Sequence, residues 1–254
     1  MSTLVLKLIA CGTMLIDHTA YVLAITGRME GYHALYVLLR LIGRVAFPIF
    51  GFQIVQGAMY TRNKVRYALR LLIFGLISEA PFDLAFSGTF WDPTYQNVYF
   101  TLVLGLLCVY VIQWGSRLPG KKAWLGWGAA FFCTMVLGAL AEFLLLTDYG
   151  FAGVLMIAVM GVLAAPMGKV RYLVRSEYFF QMFVSAFAIA LLVLFTNSAE
   201  LTALLALVPI YFYNGQQKLK TRLGRILVYI YYPLHLTILG LIFVWPKISS
   251  LYIK

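Results

Sequence analysis

Residues 61–97 read TRNKVRYALRLLIFGLISEAPFDLAFSGTFWDPTYQN. The stretch opens on a cluster of cations, Arg62, Lys64 and Arg66. It continues as an apolar run and closes on a polar segment, 87–97, that contains no Lys or Arg. An apolar run between a basic flank and a non-basic flank is the pattern of a helix that crosses a bilayer, with its basic end on the cytoplasmic side. Inside the run lie two carboxylates, Glu79 and Asp83, four residues apart with Pro81 between them. Charge at that depth is expensive, so it has to face the interior of a bundle or a wet cavity.

The rest of the chain repeats the pattern. Of 254 residues, 63% are hydrophobic and 11% are charged, and the mean hydropathy is +0.88. Soluble domains carry about a quarter charged residues, so the composition predicts an integral membrane protein. Apolar runs of about 18 residues recur from end to end without the alternation of a membrane barrel, which leaves helices to satisfy the backbone in lipid. Breaking the chain at its polar stretches predicts nine spans, at about 3–26, 33–59, 66–87, 98–115, 123–146, 150–167, 178–196, 199–213 and 226–246. The first is read as a permanent span and not a signal peptide, because it is long and no small-residue cleavage site follows it. The expected fold class is an all-α polytopic helix bundle.

The loops then orient it. Those after spans two, four, six and eight hold Arg62, Lys64 and Arg66; Arg117, Lys121 and Lys122; Lys169, Arg171 and Arg175; and Lys218, Lys220, Arg222 and Arg225. Among the intervening loops only the first holds a cation, Arg28. The alternation places the N-terminus inside and the C-terminus outside. The net charge of +11 is therefore mostly topology, with contact to anionic membrane lipids or to a phosphate-bearing ligand as a second use. No basic soluble surface exists for nucleic acid. Cys11, Cys108 and Cys133 all fall within spans, with neither metal-ligand nor disulfide spacing. No long internal repeat is visible, unlike the transporters built on inverted repeats.

With the topology set, the ionisable residues of the spans gather in the outer half of the bilayer: Asp17 and His18 on span one, Arg40 and Arg44 on span two, Glu79 and Asp83 on span three, and His235 on span nine. Asp92, Gln96, Asn97 and Thr101 follow at the adjoining loop, and Glu142 and Asp148 mark the outer end of span five. The spacing i, i+4 puts each charged pair on one helix face. The plain expectation is an ion network, Arg40 and Arg44 against Glu79 and Asp83, locking spans two and three. Asp17 and His18 point about 100° apart, so either one can instead answer an arginine. Histidine is the side chain best suited to take and return a proton near neutral pH. His18 is therefore the candidate proton-transfer group, and His235 has a comparable claim to line the cavity, with Tyr229, Tyr231 and Tyr232 as neighbouring hydrogen-bond donors. Pro81 is expected to break its helix.

Five stretches together resemble one family: MLIDH at 14–18, LRLIGRVAFPIFGF at 39–52, YTRNKVRYALRLLIFGLISEAPFDLAF at 60–86, DPTYQNVYFTLVLGLL at 92–107 and YIYYPLHLTIL at 229–239. They run in order across almost the whole chain and resemble the TraX family. That family is named for a conjugation protein that acetylates the N-terminus of F-type pilin, and it is distantly similar to other transmembrane acyltransferases. The resemblance implies one acyltransferase-like domain over 1–254 in a bacterial cytoplasmic (inner) membrane. Acetyl-CoA would be the co-substrate, no metal would be needed, and the basic inner loops would hold the CoA phosphates while the pantetheine arm threads the bundle. It implies His18 as general base with Asp17 tuning or positioning it. Arg40, Arg44, His235 and Tyr232 would contact the acetyl-CoA, and Glu79, Asp83, Gln96 and Asn97 would line the cavity or touch substrate. The acceptor stays open among a pilin N-terminus, another peptide, a lipid, a glycan or a small molecule, as does homo-oligomerisation. The competing class is a proton-coupled transporter or flippase using the same buried Asp, His, Arg and Glu.

Overall fold

The computed structural model describes residues 1–165, 177–216 and 222–252. The helices are α1 (Thr3–Ile25), α2 (His33–Gly43), α3 (Ala46–Tyr60), α4 (Lys64–Phe86), α5 (Val98–Gly115), α6 (Ala123–Ala139), α7 (Gly150–Met160), α8 (Glu177–Phe195), α9 (Leu207–Tyr211), α10 (Arg222–Leu239) and α11 (Trp245–Tyr252). Short 3-10 or π segments extend α6, α7 and α10 and precede α9. No strand occurs among the described residues, only an isolated parallel bridge between Gln96 and Thr147. Six stretches, 3–25, 33–60, 98–115, 120–144, 178–195 and 226–248, are long and apolar enough to cross a membrane. Two shorter apolar stretches span 150–164 and 198–211. The 23 residues of α4 carry five charges, Lys64, Arg66, Arg70, Glu79 and Asp83; its Glu79 and Asp83 side is buried while Leu69, Ile73 and Leu76 stand exposed on the other. The nine expected spans map onto these pieces, and the chain is an all-α polytopic membrane bundle. The basic clusters of the third and fourth inner loops fall at 166–176 and 217–225, where Lys169, Arg171, Arg175, Lys218 and Lys220 lie outside the described residues.

The surface fits that environment. Large apolar side chains stand exposed on many helices, among them Leu8, Leu76, Phe131, Phe132 and Phe143. Water-facing proteins seldom show apolar surface on that scale. The interior is built on close backbone approach. Gly115 at the end of α5 and Gly126 in α6 face each other so tightly that a Cβ on either would strike the other's backbone, the small-residue contact by which helices associate in lipid.

Prolines set the local irregularities. Span two is not one helix: it breaks at Arg44 and Val45 between α2 and α3. Pro48 lies in the first turn of α3. It has no N–H to bond the Arg44 carbonyl, so the ladder stops there. Pro81 does not break α4, which runs through it uninterrupted. Glu79 and Asp83 are held from outside the helix, as described below. Pro233 inside α10 frees the Tyr229 carbonyl, and the Tyr99 hydroxyl donates to it at 3.2 Å. The break and the loops 87–97 and 145–149 border one polar cavity.

Candidate functional site

The cavity is an open pocket of about 600 Å³, solvent at its mouth included, at the end of the bundle opposite the N-terminus. Its polar wall is Asp17 and His18 from α1, Arg40 and Arg44 from the α2–α3 break, and Tyr95, Asp148 and Tyr149 from the two loops. Phe47, Phe50, Phe82 and Phe86 supply the apolar wall.

His18 is held by a chain of hydrogen bonds whose direction can be worked out. His235 Nδ1 lies 2.9 Å from the Tyr231 carbonyl oxygen. A carbonyl only accepts, so Nδ1 carries the hydrogen. In the neutral ring Nε2 is then the lone-pair nitrogen, and it accepts from His18 Nδ1 at 2.8 Å. This leaves the lone pair of His18 on Nε2. The two rings stack with 5.0 Å between centroids and a 15° tilt, and the Phe86 edge closes on His18 at 5.1 Å. The result is one cavity-lining imidazole in a fixed tautomer and rotamer, with a basic nitrogen free and a second imidazole behind it. Tyr232 stands edge-on to both rings, at 6.0 Å from His18 and 5.6 Å from His235.

The charged groups pair differently from expectation. Arg40 Nη1 donates to Asp17 Oδ2 at 2.6 Å, and Arg44 Nη1 sits 3.0 Å from Glu200 Oε1. Neither arginine meets Glu79 or Asp83, because α2 lies along α1 and the shared face of an i, i+4 pair does not choose which neighbour it meets. The approach of α1 to α2 depends on Gly43, whose missing Cβ is replaced in space by the Asp17 side chain. Asp17 makes no hydrogen bond to His18; it positions Arg40, which also lies over the Tyr21 ring at 5.2 Å. Asp17 Oδ1, Arg44 Nε and Glu200 Oε2 are buried without a protein partner, so polar capacity remains around the cavity.

Glu79 and Asp83 tether the 87–97 loop. Glu79 Oε1 accepts from the Asn97 backbone N–H at 2.9 Å and from the Asn97 side-chain amide. Asp83 Oδ2 accepts from the Asp92 N–H at 2.9 Å. Asn97 is fully buried; its Oδ1 caps α5 by accepting from Tyr99 N at 3.0 Å, and its Nδ2 reaches the Gly75 carbonyl at 2.9 Å. Gln96 joins the two outer loops by its backbone, through Gln96 N to Leu146 O at 3.0 Å and Asp148 N to Gln96 O at 2.8 Å. Glu79, Asp83, Gln96, Asn97, Tyr232 and His235 therefore stand behind the cavity wall, while Asp17, His18, Arg40 and Arg44 line it. Outside the spans, hydrogen bonds from Ser87 and Thr94 hold the Asp92 carboxyl below the usual carboxylate range.

Sequence reasoning missed several members. Asp148 was read as a span-end marker; the loop brings it into the wall, where the Tyr95 hydroxyl donates to it at 2.7 Å. Burial pushes its carboxyl up against the opposing pull of Tyr95, Arg44 and Arg40. Thr101 pins this loop through Thr147 Oγ1 at 2.9 Å and the Asp148 carbonyl. Tyr149 takes φ +62° and stacks on Phe47 with centroids 3.8 Å apart, a strained conformation of the kind that gathers at functional sites. Glu200, only 2% exposed, carried one signal: an acid beside a span too short to cross alone.

A protein described as a probable fimbrial assembly protein FimC, serogroup H1, of Dichelobacter nodosus is 34% identical over 124 residues, 46% of this chain and 48% of that one. The match thus spans about half the length of that relative. No solved structure matches the chain. A family model described as TraX protein matches residues 2–243, and the chain belongs to the TraX family.

Proposed function

We propose that the protein is a membrane acetyltransferase that takes acetyl from acetyl-CoA supplied at the basic, cytoplasmic end and passes it to an amine or hydroxyl acceptor in the cavity at the other end. The observation that carries this reading is the His18–His235–Tyr231 chain, which leaves His18 Nε2 as an oriented base in a cavity with two guanidiniums. In the reaction His18 Nε2 takes the proton of the acceptor as its nitrogen or oxygen attacks the thioester carbonyl. The C–N or C–O bond forms, the oxyanion develops against Arg40, held rigid by Asp17, and the C–S bond breaks. The imidazolium returns its proton to the leaving CoA thiolate. His235 stabilises the charged His18 ring by accepting its Nδ1 hydrogen throughout. Transfer through an acetyl-His18 intermediate uses the same lone pair.

TraX membership supports acetyl transfer, and the fimbrial assembly relative favours a pilin-type peptide as acceptor in the bacterial inner membrane. The test is direct. Purified protein is assayed for co-purifying CoA, and membranes are supplied with radiolabelled acetyl-CoA. Bound CoA and label moved to an acceptor are the expected result, with both transfer and CoA-thiol release falling to background in His18→Ala. A protein that binds no CoA but dissipates a proton gradient would instead be a transporter.

A further inference from the structure

The cavity holds one carboxylate that the scheme above leaves unused. Asp17 is taken by Arg40 and Glu200 by Arg44, one acid to each guanidinium. Asp148 lines the same cavity from the 145–149 loop and forms no ion pair among the described residues. Its side-chain donor is the neutral Tyr95 hydroxyl, at 2.7 Å. With His18 neutral, Arg40 and Arg44 stand against Asp17, Asp148 and Glu200, and the unmatched negative charge is that of Asp148.

The loop fixes this residue at several points. The Asp148 N–H donates to the Gln96 carbonyl at 2.8 Å, its own carbonyl accepts from the Thr101 hydroxyl, and Oδ1 accepts from Tyr95. The next residue, Tyr149, takes φ +62° and stacks on Phe47. A carboxylate can accept about four hydrogen bonds, so capacity remains for a ligand. Arg40 and Arg44 at the α2–α3 break and Tyr95 on the facing loop favour the ionised form of Asp148. Asp17 on α1 and Glu200 behind Arg44 repel it, His18 shares the cavity as a neutral ring, and the hydroxyls of Tyr149 and, on α10, Tyr232 stand near. An ordered, unmatched carboxylate across a cavity from an oriented imidazole has the form of a two-base site.

An amine reaches such a cavity as an ammonium near neutral pH. It has to lose one proton before its nitrogen can attack and a second as the C–N bond forms, and His18 Nε2 takes only one. Resting on the amine arm of the acetyl-transfer reading, we propose that Asp148 is a second catalytic base, which pairs with the acceptor's ammonium and takes its first proton. The ammonium becomes a free amine and the carboxylate a carboxylic acid. The amine then attacks the thioester as His18 takes the second proton and passes it to the leaving thiolate. Asp148 gives its proton to water at the cavity mouth, so ammonium and acetyl-CoA yield amide, CoA thiol and one proton.

The experiment follows label from radiolabelled acetyl-CoA into the native acceptor, in membranes holding the full-length protein, between about pH 6.5 and about pH 9.5. Asp148→Asn keeps the shape of the side chain and an oxygen for Tyr95 but loses the basicity. At pH ~6.5 its transfer should fall about tenfold or more, and the gap to wild type should narrow toward pH ~9.5, where more of the amine arrives already free. Asp148→Glu keeps the carboxylate on a longer stem and should transfer faster than Asp148→Asn at the low end. A merely structural Asp148 gives the opposite order, because Asn fits the loop and Glu does not, and its loss is the same at both ends of the range. Either of those results, or wild-type transfer by Asp148→Asn at the low end, overturns the assignment while acetyl transfer through His18 stands. If wild type transfers no acetyl, both readings fall.

Discussion

At the scale of single residues the site depends on two pairings, His18 with His235 and Asp17 with Arg40. His235→Ala removes the acceptor that fixes the His18 tautomer. The expected result is a fall of about ten- to a hundredfold in the transfer rate, the range typical of groups that orient another side chain, with KM for acetyl-CoA unchanged. A merely structural His235 would lower yield and melting temperature without that split. Asp17→Asn leaves Arg40 partly buried without its counter-charge, a change that costs about 3 kcal/mol when a buried pair is broken. Denaturant unfolding should show the loss, and Asp17→Asn combined with Arg40→Gln should be less destabilised than the sum of the two. The sequence marked His18, Asp17, Arg40 and Arg44 because charge in a span demands a reason. It misjudged the partners because i, i+4 spacing fixes a face and says nothing of which helix comes to meet it. Asp17 answers Arg40 because Gly43 lets α1 and α2 touch there.

Among elements, the α1–α2 contact and the 87–97 tether are the exposed points. A methyl at Gly43 meets the Asp17 side chain; Gly43→Ala should cost about 1–3 kcal/mol by overpacking and should abolish transfer, whereas Gly128→Ala, with open space around it, should do neither. Glu79→Ala strands the buried Asn97 backbone N–H and leaves its side-chain amide with the Gly75 carbonyl alone, at a cost of about 1–3 kcal/mol. It should raise proteolysis within 87–97 as the loop loses its anchor, an effect that limited proteolysis reads directly. Helix positions were legible from apolar runs and loop charge. The split between α2 and α3 was not, although Pro48 announced it: a proline has no N–H for the carbonyl four residues before it, Arg44, so the ladder is interrupted there. The intact α4 shows the reverse, a proline tolerated within a helix that buries Glu79 and Asp83 against the loop.

For the whole molecule, the loops divide the bundle into two chemically different ends. Single cysteines placed at Arg62 and at Lys121, in a background lacking Cys11, Cys108 and Cys133, should react with a membrane-impermeant maleimide only after the membrane is opened. One placed at Trp91 should react from outside in intact cells. The bundle was legible because hydropathy acts locally, and loop charge supplies the orientation that this labelling tests. The cavity was half legible: its helical residues stood out as buried charge, but Tyr95, Asp148, Tyr149 and Glu200 come from loops and a short helix, and only their three-dimensional contacts give them a place. The proposed transfer of acetyl from acetyl-CoA through His18 is read most directly by radiolabel. Membranes containing wild-type protein, given radiolabelled acetyl-CoA, should accumulate label in a protein, lipid or glycan fraction, and membranes with equal amounts of folded His18→Ala should accumulate none. Equal labelling by the two, or no labelling by either in cells that hold the native acceptor, would contradict it.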